Sequence, residues 1–131
     1  MEHLITYLSI AFGGALGAVL RFLIAQGSLK LIPGQTFPYG TLAANLLGSL
    51  ILGFLFVLGK AQWLTGAHRL FWTTGMMGAL TTFSTFAVEG ILLMQGGQWK
   101  LAVFYWILSV SGGVLLAFLG YQLGSRITGT H

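Results

Sequence analysis

Four long apolar stretches separated by short polar connections constrain this chain more than any other feature: near Leu4 to Gln26, Tyr39 to Gly59, Arg69 to Met94 and Trp99 to Leu123. A helix needs about 20 mostly apolar residues to cross the hydrocarbon core of a bilayer, and each stretch supplies them. Of the 131 residues 56% are hydrophobic and 6% charged, against roughly 25% charged in an average soluble domain. Such a chain has too few charges to build a water-soluble surface. The expected fold is therefore an all-α integral membrane protein, one domain over residues 1–131 with four transmembrane helices. Glu2 and His3 stand where a secretory signal carries positive charge, and no convincing cleavage site follows the first stretch, so that stretch is read as retained.

The connections carry the expected breakers and interface residues: Pro33, Gly34 and Pro38 in the first, Trp63 and Gly66 in the second, Gly96 and Gly97 in the third. Charge asymmetry across such loops normally sets orientation, because Lys and Arg stay on the cytoplasmic side. Here one side holds Lys60, Arg69 and Arg126, and the other Lys30 and Lys100, joined by Arg21 if it reaches that interface. So even a count is compatible with insertion both ways up, and hence with an antiparallel homodimer. It is equally compatible with one fixed topology. Small residues recur at helix-packing spacing, in Gly13 with Gly17, Gly120 with Gly124, and Ser49 with Gly53. They let backbones approach closely in lipid, where no hydrophobic effect drives helices together.

Many functions are excluded by what is missing. Glu2 and Glu89 are the only acids and there is no Asp, so paired-carboxylate catalysis, a Ser-His-Asp triad and a carboxylate magnesium site cannot be assembled in one chain. His3, His68 and His131 lie at span ends without metal-ligand spacing, and Cys is absent. The net charge of +4 comes from six scattered basic residues, which form no nucleic-acid patch and read as interfacial anchors. The chain is not expected to be an enzyme. Membrane lipid is an expected neighbour.

Intramembrane polar residues mark the interesting places. In the third stretch, Gly75 to Phe86 reads GMMGALTTFSTF. Either glycine and β-branched threonine interrupt the helix there, freeing carbonyls that can hold a cation, or the helix is intact and its Ser and Thr bond back to their own carbonyls. Unwound backbone at that depth is tolerated only inside protein or beside a water-filled cavity. Phe83 and Phe86, three apart, share a face; they either pack or turn positive ring edges toward an anion. Thr41 and Asn45 lie one turn apart in the second stretch, where the Asn45 amide can donate to an anion or bond a neighbouring helix. Tyr105, Ser109 and Ser111 offer further hydroxyls in the fourth. Arg21 and Glu89 are charges that bilayer depth does not tolerate facing lipid, although Arg21 can snorkel to an interface.

These residues are specific enough to carry a resemblance. GMMGALTTFSTF, with GGALGAVLRF (Gly13 to Phe22) and GTLAANLLG (Gly40 to Gly48), resembles the Fluc (CrcB) fluoride channels, with three motifs in the family's order over essentially the entire chain. The resemblance implies an antiparallel dual-topology homodimer, with a broken third helix and a structural sodium ion at its centre. It implies passive export of cytoplasmic fluoride across the inner membrane of a prokaryote, conferring fluoride resistance. By the motif, sodium would be held by backbone carbonyls of Gly78 and Thr81 from both copies. Phe83, Phe86, Asn45, Thr41, Ser84, Thr85, Tyr105 and Ser109 would lie along the fluoride pathway, Arg21 in a vestibule and Glu89 beside the pathway. Gly113 stands where some relatives carry a second serine. The competing readings are a proton-coupled small-ion exporter using Glu89 and a non-transporting helper subunit.

Overall fold

The computed structural model describes residues 1–130, so the chain-end His131 lies outside the described residues. Four helices are long and apolar enough to cross a membrane: Glu2–Leu31, Tyr39–Lys60, Gly66–Gln95 and Trp99–Thr128. The chain is thus a multi-pass helical membrane protein. The first (α1, Glu2–Leu31), second (α2, Tyr39–Lys60) and fourth spans are continuous helices. α1 and the fourth span each run several residues past the end of their apolar stretches. Helical hydrogen bonding is internal to the backbone and does not stop where the side chains turn polar. Lys30 and Arg126 close these two helices in their last turns, where positive charge complements the helix dipole.

The third span is composite. A short α3 (Gly66–Leu70) passes into a π-helical stretch at Phe71–Met77, then one α-turn (α4, Gly78–Leu80). Thr81 (φ −80°, ψ 152°) and Thr82 (φ −149°, ψ 114°) take extended dihedrals before α5 (Phe83–Gln95) begins. The fourth span is α6 (Trp99–Thr128). The π-helical stretch is a feature that hydropathy and propensity do not signal. Wide turns of this kind are rare and tend to occur at functional positions.

Glycine sets the distances between spans. A Cβ added to Gly13 would run into the carbonyl oxygen of Phe71, and one on Gly17 into that of Met76, so α1 lies backbone to backbone against the π-helical stretch. The α2–α6 contact is built the same way: a Cβ on Gly53 would meet the Ala117 carbonyl, and one on Gly120 the Leu50 carbonyl. Of the small residues expected to pack helices, Gly13, Gly17, Gly53 and Gly120 do so against backbone carbonyls, and Gly124 does so against the Val57 side chain.

Two buried clusters flank the extended pair. Ala44, Met77 and Leu80 pack on one side with Leu20 and Ile24 of α1 and Ile51 of α2. Phe37, Leu42, Phe86, Leu93, Ala102 and Tyr105 pack on the other. Phe37 comes from the α1–α2 connection and is buried, with its ring 5.4 Å from Tyr105 in an edge-on arrangement. That connection is therefore more than a link, since it plugs the end of the bundle.

Candidate functional site

The site begins with the hydrogen bonds that the extended pair gives up. In a continuous helix the Thr82 N–H would bond the Gly78 carbonyl and the Thr85 N–H the Thr81 carbonyl. Instead Thr82 N–H donates to Asn45 Oδ1 at 2.7 Å, and Asn45 Nδ2 donates to the Thr82 carbonyl at 3.2 Å. The Thr85 N–H turns to the Thr82 hydroxyl at 3.3 Å, which makes Thr82 the N-cap of α5. The carbonyls of Gly78 and Thr81 are thereby left without their helical donors. Of the two partners open to Asn45, the structure selects the neighbouring helix: its amide grips the Thr82 peptide from both sides, leaving one N–H to spare.

The α2 contact also holds the extended pair in place. A Cβ on Gly48 would collide with the Thr81 methyl, so α2 comes close enough for Asn45, just before it, to reach Thr82. The Thr81 hydroxyl bonds back to the Met77 carbonyl at 3.0 Å, and the Thr82 hydroxyl donates to that of Thr85 at 3.0 Å.

A cavity of about 260 Å³ opens beside this junction, lined by Asn45, Ser49, Thr82, Phe83, Phe86 and Ser109 among others. Phe83 and Phe86 lie 5.6 Å apart, centroid to centroid, with their planes inclined at 50°. Phe86 is buried whereas Phe83 is 80% exposed. Ser109 Oγ is buried and has no hydrogen-bond partner. A buried orphan hydroxyl is uncommon, because leaving it unpaired costs about 1–3 kcal/mol. Ser84 and Thr85 are exposed on the single chain.

Beyond Phe86 lies a second polar cluster. Thr41 Oγ1 donates to Glu89 Oε1 at 2.8 Å, and Tyr105 OH donates to Glu89 Oε2 at 2.9 Å. Glu89 lines a second cavity of about 340 Å³ near the membrane end, with Gln35, Thr36 and Gln98 contributing further polar groups. The Tyr105 ring packs on Phe86 at 5.3 Å, so the aromatic wall of the first cavity backs onto the tyrosine that holds Glu89. Thr41 and Tyr105 act on Glu89 and line neither space.

Among the expected residues, Arg21 is partly buried on α1 and lines neither cavity. Gly113 has room for a larger residue, since a Cβ there would sit 3.5 Å from Ser49 Oγ. Ser49 joins the cavity lining as a residue the sequence reading used only for packing; its spacing of one turn from Asn45 was the available signal. Gln35 and Phe37 had no signal beyond their place between two prolines.

Polar side chains from the second, third and fourth spans thus meet at bilayer depth around small cavities. That defines a multi-pass membrane protein with an intramembrane polar site. Residues 8–121 match the family described as CrcB-like protein, Camphor Resistance (CrcB). The chain is 46% identical over 116 residues to the fluoride-specific ion channel FluC of Shewanella pealeana, covering 88% of this chain and 93% of the relative. It is 44% identical over 126 residues to a fluoride-specific ion channel FluC of Thermus thermophilus, covering 94% and 96%. The chain belongs to the CrcB (Fluc) family, whose members are ion channels and not enzymes.

Proposed function

We propose that the chain is a fluoride-selective passive channel of a prokaryotic inner membrane, which lets cytoplasmic fluoride leave down its electrochemical gradient and so confers fluoride resistance. The observation that carries this reading is the unpartnered Ser109 hydroxyl, buried in a cavity that also holds Asn45 and the Phe83–Phe86 pair. Fluoride is small and holds its water strongly. A pore selecting it must replace that water with closely spaced donors in a site of fitted size. Ser109 Oγ–H and the spare Asn45 N–H supply two donors, and the positive edges of the two rings supply a softer contact. The single chain leaves the lane half walled, because Phe83 is exposed.

A second copy completes it. Ser84 and Thr85 are exposed at mid-bilayer, where uncovered hydroxyls facing lipid are costly. An antiparallel partner crossing at the extended pair covers them, in keeping with the even basic count of the loops. The same crossing brings the freed Gly78 and Thr81 carbonyls of both copies together. Backbone carbonyls released at a helix break are the donor set that sodium takes in discontinuous-helix transporters, so the residues present fit the ion. When bound, a sodium ion would supply fixed positive charge that offsets part of the cost of an anion in a low-dielectric interior. Glu89, held by Thr41 and Tyr105, then stands beside the pathway and orders its wall.

Fluoride efflux from proteoliposomes under an imposed voltage at symmetric pH tests the reading. Voltage-driven efflux is expected, with loss in Phe83→Ile while the dimer stays assembled. Efflux that requires a pH gradient would replace the channel with a Glu89-dependent exporter, and no flux at all would leave a helper subunit.

A further inference from the structure

At the opposite membrane end from Glu89 the structure holds a polar-rimmed groove that adjoins the Asn45–Ser109 cavity at Ser49 and Leu52 but carries none of the groups proposed to meet the anion. A cavity of about 630 Å³ lies between the C-terminal half of α2 and the start of the third span, with Lys60 and Arg69 at its rim and Leu52, Leu55 and Phe56 along its wall. A second cavity of about 430 Å³ shares Leu52 and Phe56 and continues along α6 to Phe118 and Tyr121. The two meet at Phe56, which is 64% exposed.

Among the described residues no carboxylate faces the rim. Lys60 Nζ donates to Tyr121 OH at 3.4 Å, and the Arg69 stem lies over Gly59, whose added Cβ would sit 3.0 Å from Arg69 Cδ. Neither acid of the chain lines the groove: Glu2 is absent from it and both Glu89 oxygens are taken by hydroxyls elsewhere. Trp63, 62% exposed in the adjoining turn, marks this level as the membrane interface. Leu52 lies eight residues below Lys60 on α2, or about 12 Å deeper at the helical rise. The groove therefore runs from headgroup level well into hydrocarbon.

We propose that this is a binding site for an anionic diacyl phospholipid, its phosphate on Lys60 and Arg69 and one acyl chain in each of the two grooves that divide at Phe56. Charge complementarity and shape select this occupant. A free phosphate would satisfy the rim and leave the apolar wall unused. A zwitterionic lipid would fill the wall and leave two cations over a headgroup with no net charge.

Native mass spectrometry of the full-length protein, released from micelles doped with phosphatidylglycerol or phosphatidylcholine, tests the proposal. Its readout is retained lipid, independent of ion transport, so failure here leaves the channel reading standing and failure of flux leaves this one standing. Phosphatidylglycerol is expected to be retained in preference. A basic side chain near an anionic headgroup contributes about fivefold in affinity, so the pair Lys60→Gln and Arg69→Gln is expected to lower retention about 25-fold. Phe56→Ser, on an exposed position, is expected to lower retention with the basic rim intact. Equal retention of the two lipids, unchanged retention in the double variant, or displacement by millimolar inorganic phosphate would each overturn it, the last assigning the rim to a free anion.

Discussion

Replacing Asn45 with alanine removes both clamps on the Thr82 peptide, the 2.7 Å bond accepted from its N–H and the 3.2 Å bond donated to its carbonyl. Thr82 is buried, so neither group gains water in exchange. Each buried group left unpaired costs about 1–3 kcal/mol. Interhelical hydrogen bonds in lipid average only about 0.6 kcal/mol, with a maximum near 1.7, because the disrupted state finds other partners. Combining the two, Asn45→Ala is expected to cost about 2–3 kcal/mol. Asn45→Asp separates the two bonds: the carboxylate still accepts from Thr82 N–H but sets a second oxygen against the Thr82 carbonyl. It is expected to lose the donor half and add repulsion, and so to match or exceed the alanine cost. Thermal unfolding of the purified protein in mild detergent, beside fluoride efflux, provides the measure. If Asn45→Ala unfolds within about 0.5 kcal/mol of the parent, the range of a neutral surface change, the clamp does not hold the extended pair and the account of its origin is wrong.

Ser109→Ala is the complementary case. Its hydroxyl has no protein partner to lose, so stability is expected to hold or to rise by up to about 1–3 kcal/mol as the unpaired group is removed while efflux falls by about tenfold, the equivalent of about 1.4 kcal/mol of lost anion contact; unchanged efflux would remove this hydroxyl from the pathway. Glu89→Gln leaves either Thr41 or Tyr105 without its acceptor, at about 1 kcal/mol in unfolding measurements, and voltage-driven efflux at symmetric pH is expected to persist. Gly17→Ala drives a methyl into the Met76 carbonyl. Overpacking of this kind costs about 1–3 kcal/mol or more, so lower yield and earlier unfolding are expected in size-exclusion and thermal assays, whereas Gly27→Ala, which meets nothing within 4 Å, is expected to be neutral.

How far the site could be read from the chain differs from residue to residue. Thr41 and Asn45 were recognisable as polar residues on one face of an apolar helix, because periodicity and cost of burial are local properties. Their partners were not: Glu89 is 48 residues from Thr41, and the Thr82 peptide 37 from Asn45. Asn45 offered two equally available uses until α2 was placed against the third span. The glycine and threonine content of Gly75 to Phe86 marked a weak helix, yet the extended dihedrals fall at Thr81 and Thr82 and the π-helical stretch lies earlier, at Phe71–Met77. Propensity measures how easily a segment yields, and contact with α1 and α2 decides where.

The sequence by itself determined that the chain lies in a membrane, crosses it four times and has too few acids for a carboxylate pair, a Ser-His-Asp triad or a carboxylate magnesium site within one chain. Those conclusions rest on composition and on hydropathy summed over a span, which no packing arrangement alters. Only the tertiary structure decided that Phe86 packs on the Tyr105 that holds Glu89, that Ser109 is left unpartnered while Ser111 bonds back to the Ile107 carbonyl, and that Lys60 and Arg69 share one groove. Each depends on which faces of separate helices meet. In lipid that choice is made by the close approach of glycine backbones and by single hydrogen bonds between distant residues, since apolar surface alone prefers no partner.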